Sequence, residues 1–153
     1  MDELKAFRER ANAHGICSMA NMWDKAQSKK QLMDLAMSIQ GIEFIAHAIH
    51  EGWAPDVSFI ANEFSRFINE GYMPDMGGYS SAWYYNPQGD INIKTGTALI
   101  FGQAHRIVVD RICELYIVNC DVELVGKGRA VVHLFNSKIE NSDAAPCVVV
   151  ENK

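Results

Sequence analysis

The chain has 153 residues, of which 48% are hydrophobic and 22% are charged, and its formal net charge is −5 at pH 7. This length and composition are typical of a single globular domain that buries enough surface to fold without disulfides. No stretch approaches eighteen consecutive apolar residues, so the sequence predicts no transmembrane helix. The negative charge argues against direct nucleic-acid binding through a basic face.

The cysteines and the first residues bear on the cellular compartment. Cys17, Cys113, Cys120 and Cys147 lack CxxC spacing, and we interpret them as reduced thiols in a chain without disulfides. The first ten residues, MDELKAFRER, are charged and contain no apolar segment of a secretory signal. We therefore expect a soluble cytoplasmic protein with no cofactor, no structural zinc and no membrane attachment.

The first half of the chain has the apolar spacing of helices separated by turn residues. The clearest helix is GIEFIAHAIHEGW (41–53), whose apolar residues recur every three or four positions and which Gly52 ends. Ser28 and Gln31 have the spacing of a capping box at the start of another helix. Further helices are predicted over 2–13, 19–26, 28–38 and 55–71. The sequence thus predicts four or five helices over residues 1–76.

The second half of the chain repeats itself about every 16 to 17 residues, and a regular period of this kind indicates stacked structural repeats. The segments WYYN, LIFG, YIVN, HLFN and VVEN begin at positions 83, 99, 116, 133 and 149. Each segment ends in Asn or Gly, which tolerate the left-handed backbone of a tight corner. We predict a parallel β-solenoid of four to five rungs over 83–153, preceded by a hinge at 77–82.

Strand residues alternate between the two faces of a sheet, so the repeats predict which side chains enter the coil. The inward positions of the first strand are Ala82 and Tyr84, Ala98 and Ile100, Leu115 and Ile117, Val132 and Leu134, and Val148 and Val150. The inward positions of the second strand are Ile91, Ile107 and Leu124. A third inward column consists of Thr97, Cys113, Ala130 and Cys147. An antiparallel sandwich with evenly spaced strands is the alternative interpretation.

These features together predict an α+β protein, in which an N-terminal helical bundle packs on a short C-terminal parallel β-solenoid with rungs of about 16 to 17 residues. The outward positions of the first strand are mostly apolar and aromatic. If they were exposed to solvent, they would form a larger apolar patch than a soluble monomer usually exposes. The candidate binding surface consists of Trp83, Tyr85, Phe101, Tyr116, His133, Phe135 and Glu151. The helices could cover this face, and part of it could stay open for a protein partner or a homodimer mate.

One group of side chains in the helical half could hold a metal ion. Glu43, His47 and His50 fall at helical spacing, and two imidazoles with a carboxylate form a known ligand set. The HExxH spacing of metallohydrolases is absent, and a solvated helix face is the simpler interpretation. We therefore predict no metal at this weak candidate stripe.

The carboxylates on the outward face of the second strand raise the question of carbohydrate chemistry. β-Helix enzymes that act on polysaccharides assemble carboxylates on a strand face, and the acidic outward residues here are Asp90, Asp110, Asp121, Glu123 and Glu140. They are interleaved with Lys94, Arg106 and Lys138, a pattern that predicts charge pairing and not a catalytic pair in a cleft. We predict no catalytic residues.

The order of parts resembles a group of uncharacterised proteins from phages and mobile elements of gut bacteria. The resemblance rests on SKKQLMDLA (28–36), GIEFIAHAIHEGW (41–53) and the solenoid that follows. It implies an inhibitor of a host defence system, such as an anti-CRISPR protein, that occupies a basic groove by charge complementarity. We predict a non-enzymatic protein-binding module. A carbohydrate-active or carbohydrate-binding β-helix protein and a self-assembling structural solenoid are the alternatives.

Overall fold

The computed structural model of the chain describes residues 39–52, 81–87, 89–93, 96–141 and 147–152, and the single positions 9, 13, 25, 27, 28, 31, 34, 35 and 62. Within these residues one helix and nine strands have defined bounds. They are α1 (Ile39–Glu51), β1 (Ser81–Tyr85), β2 (Ile91–Ile93), β3 (Thr97–Phe101), β4 (Arg106–Val109), β5 (Ile112–Val118), β6 (Asp121–Val125), β7 (Arg129–Phe135), β8 (Lys138–Ile139) and β9 (Cys147–Asn152). No helix of this described part has the length and apolar character needed to cross a membrane.

The strands alternate along the chain between two parallel sheets. The larger sheet has the order β1-β3-β5-β7-β9, and the smaller one has the order β2-β4-β6-β8. Ser81 pairs with Thr97 and Thr97 pairs with Glu114, so the second rung is one residue longer than the first. The predicted parallel β-solenoid is confirmed, because only a coiled chain stacks every second strand in parallel at such short intervals.

Side chains from both sheets fill the interior of the coil. Among the fully buried interior residues are Ala98, Ile100, Ile107, Leu115, Ile117, Val132 and Leu124. Their positions confirm the predicted inward columns of the first and second strands over the first four rungs, since alternate strand residues point to opposite faces. Burial of one large aliphatic side chain contributes about 1.5–3 kcal/mol, so this column of apolar contacts dominates the stability of the coil.

Asparagine and glycine form the corners between the two sheets. Asn86, Asn119 and Asn136 have φ angles of 45°, 55° and 50°, and Gly102 has a φ of 81°. Asn136 Nδ2 donates to Asn119 Oδ1 at 3.1 Å. Gly102 has no side chain to continue this ladder, and the backbone N–H of Gln103 donates to Asn86 Oδ1 at 2.6 Å instead. The predicted role of this column as a left-handed corner is confirmed for these four residues.

The last rung is offset by one residue from the prediction. Glu151 pairs with Leu134, whereas the repeat of the corner residues places it beside Phe135. Two sequence patterns disagree here. Placing Asn152 in the corner column requires a short last rung, whereas placing Cys147 beside Ala130 requires a rung that is one residue longer. The structure adopts the longer rung. A shift of one residue reverses the face of every side chain, so Glu151 lies in an inward column and outside the column of Phe135.

The same kind of shift corrects three other predicted inward positions. Thr97 pairs with Glu114 and not with Cys113, because the first rung is one residue shorter between β2 and β3. In the last rung, Val148 pairs with Val131 and Val150 pairs with His133, so both valines share the outward columns of those residues. All three residues therefore occupy outward columns of the larger sheet.

Helix α1 packs on the outer face of the larger sheet. It contacts β3, β5 and β7, and Gly52 follows it with a φ of 77°, as the predicted stop requires. Its buried apolar residues are Ile42, Ile45, Ala46, Ala48 and Ile49. In the part of the chain that the structure describes, α1 is the single helix with defined bounds, so the predicted bundle of four or five helices is wrong. Periodicity shows that a helix needs an apolar partner, and here the sheet is that partner.

The other predicted helical segments lie mostly outside the described residues. This holds for 2–13, 19–26, 28–38 and 55–71, and for the hinge residues 77–80. The last two hinge positions, Ser81 and Ala82, belong to β1. One local prediction can be checked: the Gln31 N–H donates to Ser28 Oγ at 3.1 Å, which confirms this contact of the predicted capping box.

Candidate functional site

The outer face of the larger sheet is mostly buried. Four of the seven residues of the predicted binding surface are no more than 3% exposed, namely Trp83, Phe101, Tyr116 and Phe135. Helix α1 covers part of this face, since the rings of His47 and His50 lie 4.9 Å and 5.6 Å from the ring of Phe135. These four residues therefore belong to the core. Tyr85 and His133 are half-buried, and Glu151 is exposed.

A polar cluster of three side chains lies on the outer face of β5 and β7. The rings of Tyr116 and His133 stack at 4.3 Å, and the Tyr116 hydroxyl donates to Glu114 Oε1 at 2.7 Å. His133 Nε2 lies 3.8 Å from Glu114 Oε2, which is an ion-pair distance but too long for a hydrogen bond. Among the described residues, buried His133 Nε2 therefore has no hydrogen-bond partner, and the cluster links β5 to β7 through the stacked rings while the Tyr116 hydroxyl binds Glu114.

The candidate metal stripe on α1 is divided between solvent and the core. Glu43 is exposed, whereas His47 and His50 are half-buried with their rings against Phe135. A fully solvated helix face is therefore the wrong interpretation of the two histidines. Among the described residues, no group of three or more His, Cys, Asp or Glu side chains is arranged to hold a metal ion.

The outward carboxylates of the smaller sheet are engaged in charge pairs. Arg106 Nε lies 3.3 Å from Glu123 Oε2, and Arg106 Nη1 lies 3.7 Å from Asp90 Oδ2. All three side chains are about half exposed, so each pair contributes at most about 1 kcal/mol. The predicted charge pairing is confirmed for these residues. A basic side chain separates the two carboxylates, which is unlike the facing pair that glycoside hydrolysis uses.

Among the described residues, most of the exposed large apolar side chains lie on β9, which we call the terminal edge (Cys147–Asn152). Val148, Val149 and Val150 are 63%, 44% and 40% exposed. On one side β9 pairs with β7, and no described strand pairs with its other side. An edge strand presents unpaired backbone N–H and C=O groups, so the terminal edge combines hydrogen-bonding groups with apolar side chains.

Sequence reasoning missed the terminal edge because it placed Val148 and Val150 inside the coil. The repeated segment that ends in Asn152 favoured that register. Cys147 indicated the other register, because the third inward column places it beside Ala130. Following that column would have turned Val148 and Val150 outward.

Two buried cysteines occupy the interior and its corner. Cys120 Sγ donates to Val118 O at 3.1 Å and to Gly102 O at 3.3 Å. Burial raises the pKa of the Cys120 thiol to about 12, and the Asp121 carboxylate adds to the rise. Burial likewise raises the pKa of Cys113 to about 11. Both thiols are therefore protonated and unreactive near neutral pH.

We expect iodoacetamide at pH 8 to alkylate Cys147, which is half-buried, well before Cys113 and Cys120 in the folded protein. Peptide mass spectrometry resolves the sites and keeps Cys17, outside the described residues, separate. Equal labelling of Cys120 and Cys147 would contradict the buried corner.

The pKa values of Cys113 and Cys120 in the folded protein exceed the unfolded value of 9.0. The stability that these neutral thiols contribute is therefore present below pH 9.0 and is lost as the pH rises through about 11 to 12.

The candidate sites differ in what they leave free to bind. The aromatic outer face is covered, Arg106 pairs with two carboxylates, and the histidines of α1 pack against a ring. The terminal edge alone among these sites exposes three large apolar side chains in a row. Comparison with protein-family models, with curated proteins and with solved structures finds no match for this chain.

Proposed function

We propose that this protein is a non-enzymatic protein-binding module that engages a partner at its terminal edge. The exposure of Val148, Val149 and Val150 on an edge strand carries the proposal. A partner strand that pairs with β9 gains main-chain hydrogen bonds, and the valines supply apolar contacts on both faces of the new strand. Such strand addition requires no catalytic group.

The composition of the terminal edge supports this assignment. Natural proteins protect exposed edges with charges, prolines, bulges or very short strands. No charge or proline interrupts Cys147–Val150, and β9 is six residues long. A surface of this kind favours association, and its first charge is Glu151 at the fifth position of the strand.

A narrower version of the proposal is an inhibitor of a host defence system. The net charge of −5 and the resemblance to phage and mobile-element proteins support it. An acidic binder would complement the basic nucleic-acid groove of a defence nuclease. The test is a cleavage assay with purified defence nucleases of the host, and undiminished cleavage at a large excess of this protein would refute this version.

The general proposal is tested by affinity capture from a lysate of the native host with the tagged full chain as bait. The test variant is Val148→Lys, which places a charge at the most exposed valine of β9. We expect a stoichiometric protein on the wild-type bait and at least a tenfold loss of it on the variant, since about 1.4 kcal/mol of binding free energy corresponds to a factor of ten.

The matched control for this capture is Ile112→Lys. Ile112 is 80% exposed at the start of β5, away from the terminal edge, and the change adds the same charge. We expect this control to capture the partner as the wild type does. Capture that survives Val148→Lys, or that both variants abolish equally, would contradict a site on β9.

A further inference from the structure

The two sheets of the solenoid end differently at their C-terminal sides. The smaller sheet ends in β8, which has two residues, and the side chain of Asn141 then replaces a strand. Asn141 Oδ1 accepts from the Leu124 N–H and Asn141 Nδ2 donates to the Leu124 carbonyl, both at 2.8 Å. The larger sheet has no equivalent protection among the described residues, because β9 is long, apolar and exposed.

The opposite end of the larger sheet is closed. Ser81, Ala82 and Trp83 of β1 are at most 1% exposed, although β1 is the other edge strand. The edge at β9 is therefore accessible, whereas β1 is covered over its first three residues. Association between identical copies through one accessible edge pairs that edge with itself and closes as a two-fold dimer, whereas a filament would need both edges.

The interior of the coil is also open at the terminal edge. Leu115, Val132 and Val149 form one inward column, in which the first two residues are fully buried and Val149 is 44% exposed. A single added strand would pair with the backbone of β9 but would leave the end of this column uncovered. The end of another coil would continue both the sheet and the apolar interior.

We propose that the partner at the terminal edge is a second copy of this chain, bound through antiparallel pairing of β9 with β9; this inference rests on the proposed function. Pairing centred on Val149 places Val148 of each copy opposite Val150 of the other. It places Cys147 opposite Glu151, so the two Glu151 carboxylates do not face each other. The strand is thus its own apolar complement, as a two-fold interface requires.

The charge of the chain makes the dimer distinguishable from a complex with a basic protein. Each copy carries −5, so two copies repel each other and apolar contacts hold them together. Added salt screens this repulsion and should strengthen the dimer. Binding to a basic partner would instead weaken as salt is added, because screening removes an attraction.

The test is analytical ultracentrifugation of the full chain from micromolar to millimolar concentration, in low and high salt. We expect a species of twice the 17.1 kDa chain mass at the higher concentrations, favoured by salt. Val148→Lys should weaken dimerisation at least about tenfold, and Ile112→Lys should leave it unchanged. Circular dichroism of each variant separates loss of the dimer from loss of the fold.

A second variant locates the two-fold axis independently. Val149→Cys places two thiols opposite each other at the centre of the pairing, and mild oxidation with diamide should link them as a 149–149 disulfide. Val131→Cys, on the neighbouring strand β7 and 36% exposed, is the control and should not form this link.

The failure of this inference can be distinguished from the failure of the proposed function. A wild type that stays monomeric throughout, while β9-dependent capture of another protein persists, overturns the dimer and leaves the binding module standing. A dimer that tolerates Val148→Lys and gives no 149–149 link also overturns the inference. A monomer without any β9-dependent partner overturns both proposals.

Discussion

Replacing Ile117 with aspartate is expected to lower the free energy of unfolding by about 4 kcal/mol or more. Ile117 is fully buried in the interior of the coil, where the carboxylate would replace a methyl-rich side chain without a basic partner. Substitutions of this kind cost about 4 kcal/mol or more, against a total stability of about 5–15 kcal/mol for a typical domain. Urea denaturation followed by circular dichroism measures the loss.

The control for this variant is the same substitution on the same strand. Ile112 begins β5, is 80% exposed and pairs with Arg129, so Ile112→Asp adds the charge in solvent beside an opposite charge. We expect a change of at most about 0.5 kcal/mol in the free energy of unfolding. Equal midpoints for the two variants would show that the inward register of β5 is wrong.

Replacing Phe135 with alanine is expected to release α1 from the sheet. Phe135 is 1% exposed, and its ring contacts His47 and His50 of the helix. Truncation of a buried phenylalanine costs about 3–5 kcal/mol, because it removes the contacts and leaves a cavity. We expect faster amide hydrogen exchange over Ile39–Glu51 and a lower unfolding midpoint in urea.

The control for this second prediction is a substitution at an exposed position of the same strand, β7. Val131→Ala alters an outward residue of the same strand that is 36% exposed, and we expect it to cost no more than about 1 kcal/mol and to leave exchange in α1 unchanged. If Phe135→Ala lowers the midpoint without accelerating exchange in α1, the helix does not depend on this ring and its docking on the sheet has been misassigned.

The coil could be predicted from the sequence because its constraints repeat. Ile100, Ile117 and Leu134 recur at equal intervals, and each repeat independently reports the same inward face. The corners could be predicted for the same reason, since Asn86, Asn119 and Asn136 all occupy a backbone conformation that few residues tolerate. Contacts that occur once in the chain carried no such redundancy. The pairing of the Asn141 side chain with Leu124 is one of them.

The helical half was less predictable because amphipathic spacing is a one-sided signal. The stripe of Ile42, Ile45 and Ile49 showed that the helix buries one face, and it does. The same stripe fits another helix or a sheet equally well, so spacing alone does not identify the sheet as the surface that α1 contacts. The second apolar surface is the aromatic outer face of the solenoid, and contact with α1 removes part of that face from solvent.

The sequence by itself determined the period of the coil, its interior and its corners, because these depend on spacing along the chain. The tertiary structure decided which apolar surfaces meet and which remain exposed, because that depends on elements far apart in sequence. Thus Phe135, a candidate binding residue on a face that either the helices or a partner would cover, is buried beneath α1. Val148 and Val150, which were expected inside, lie at the exposed terminal edge, since a register shift of one residue reverses the two faces of a strand.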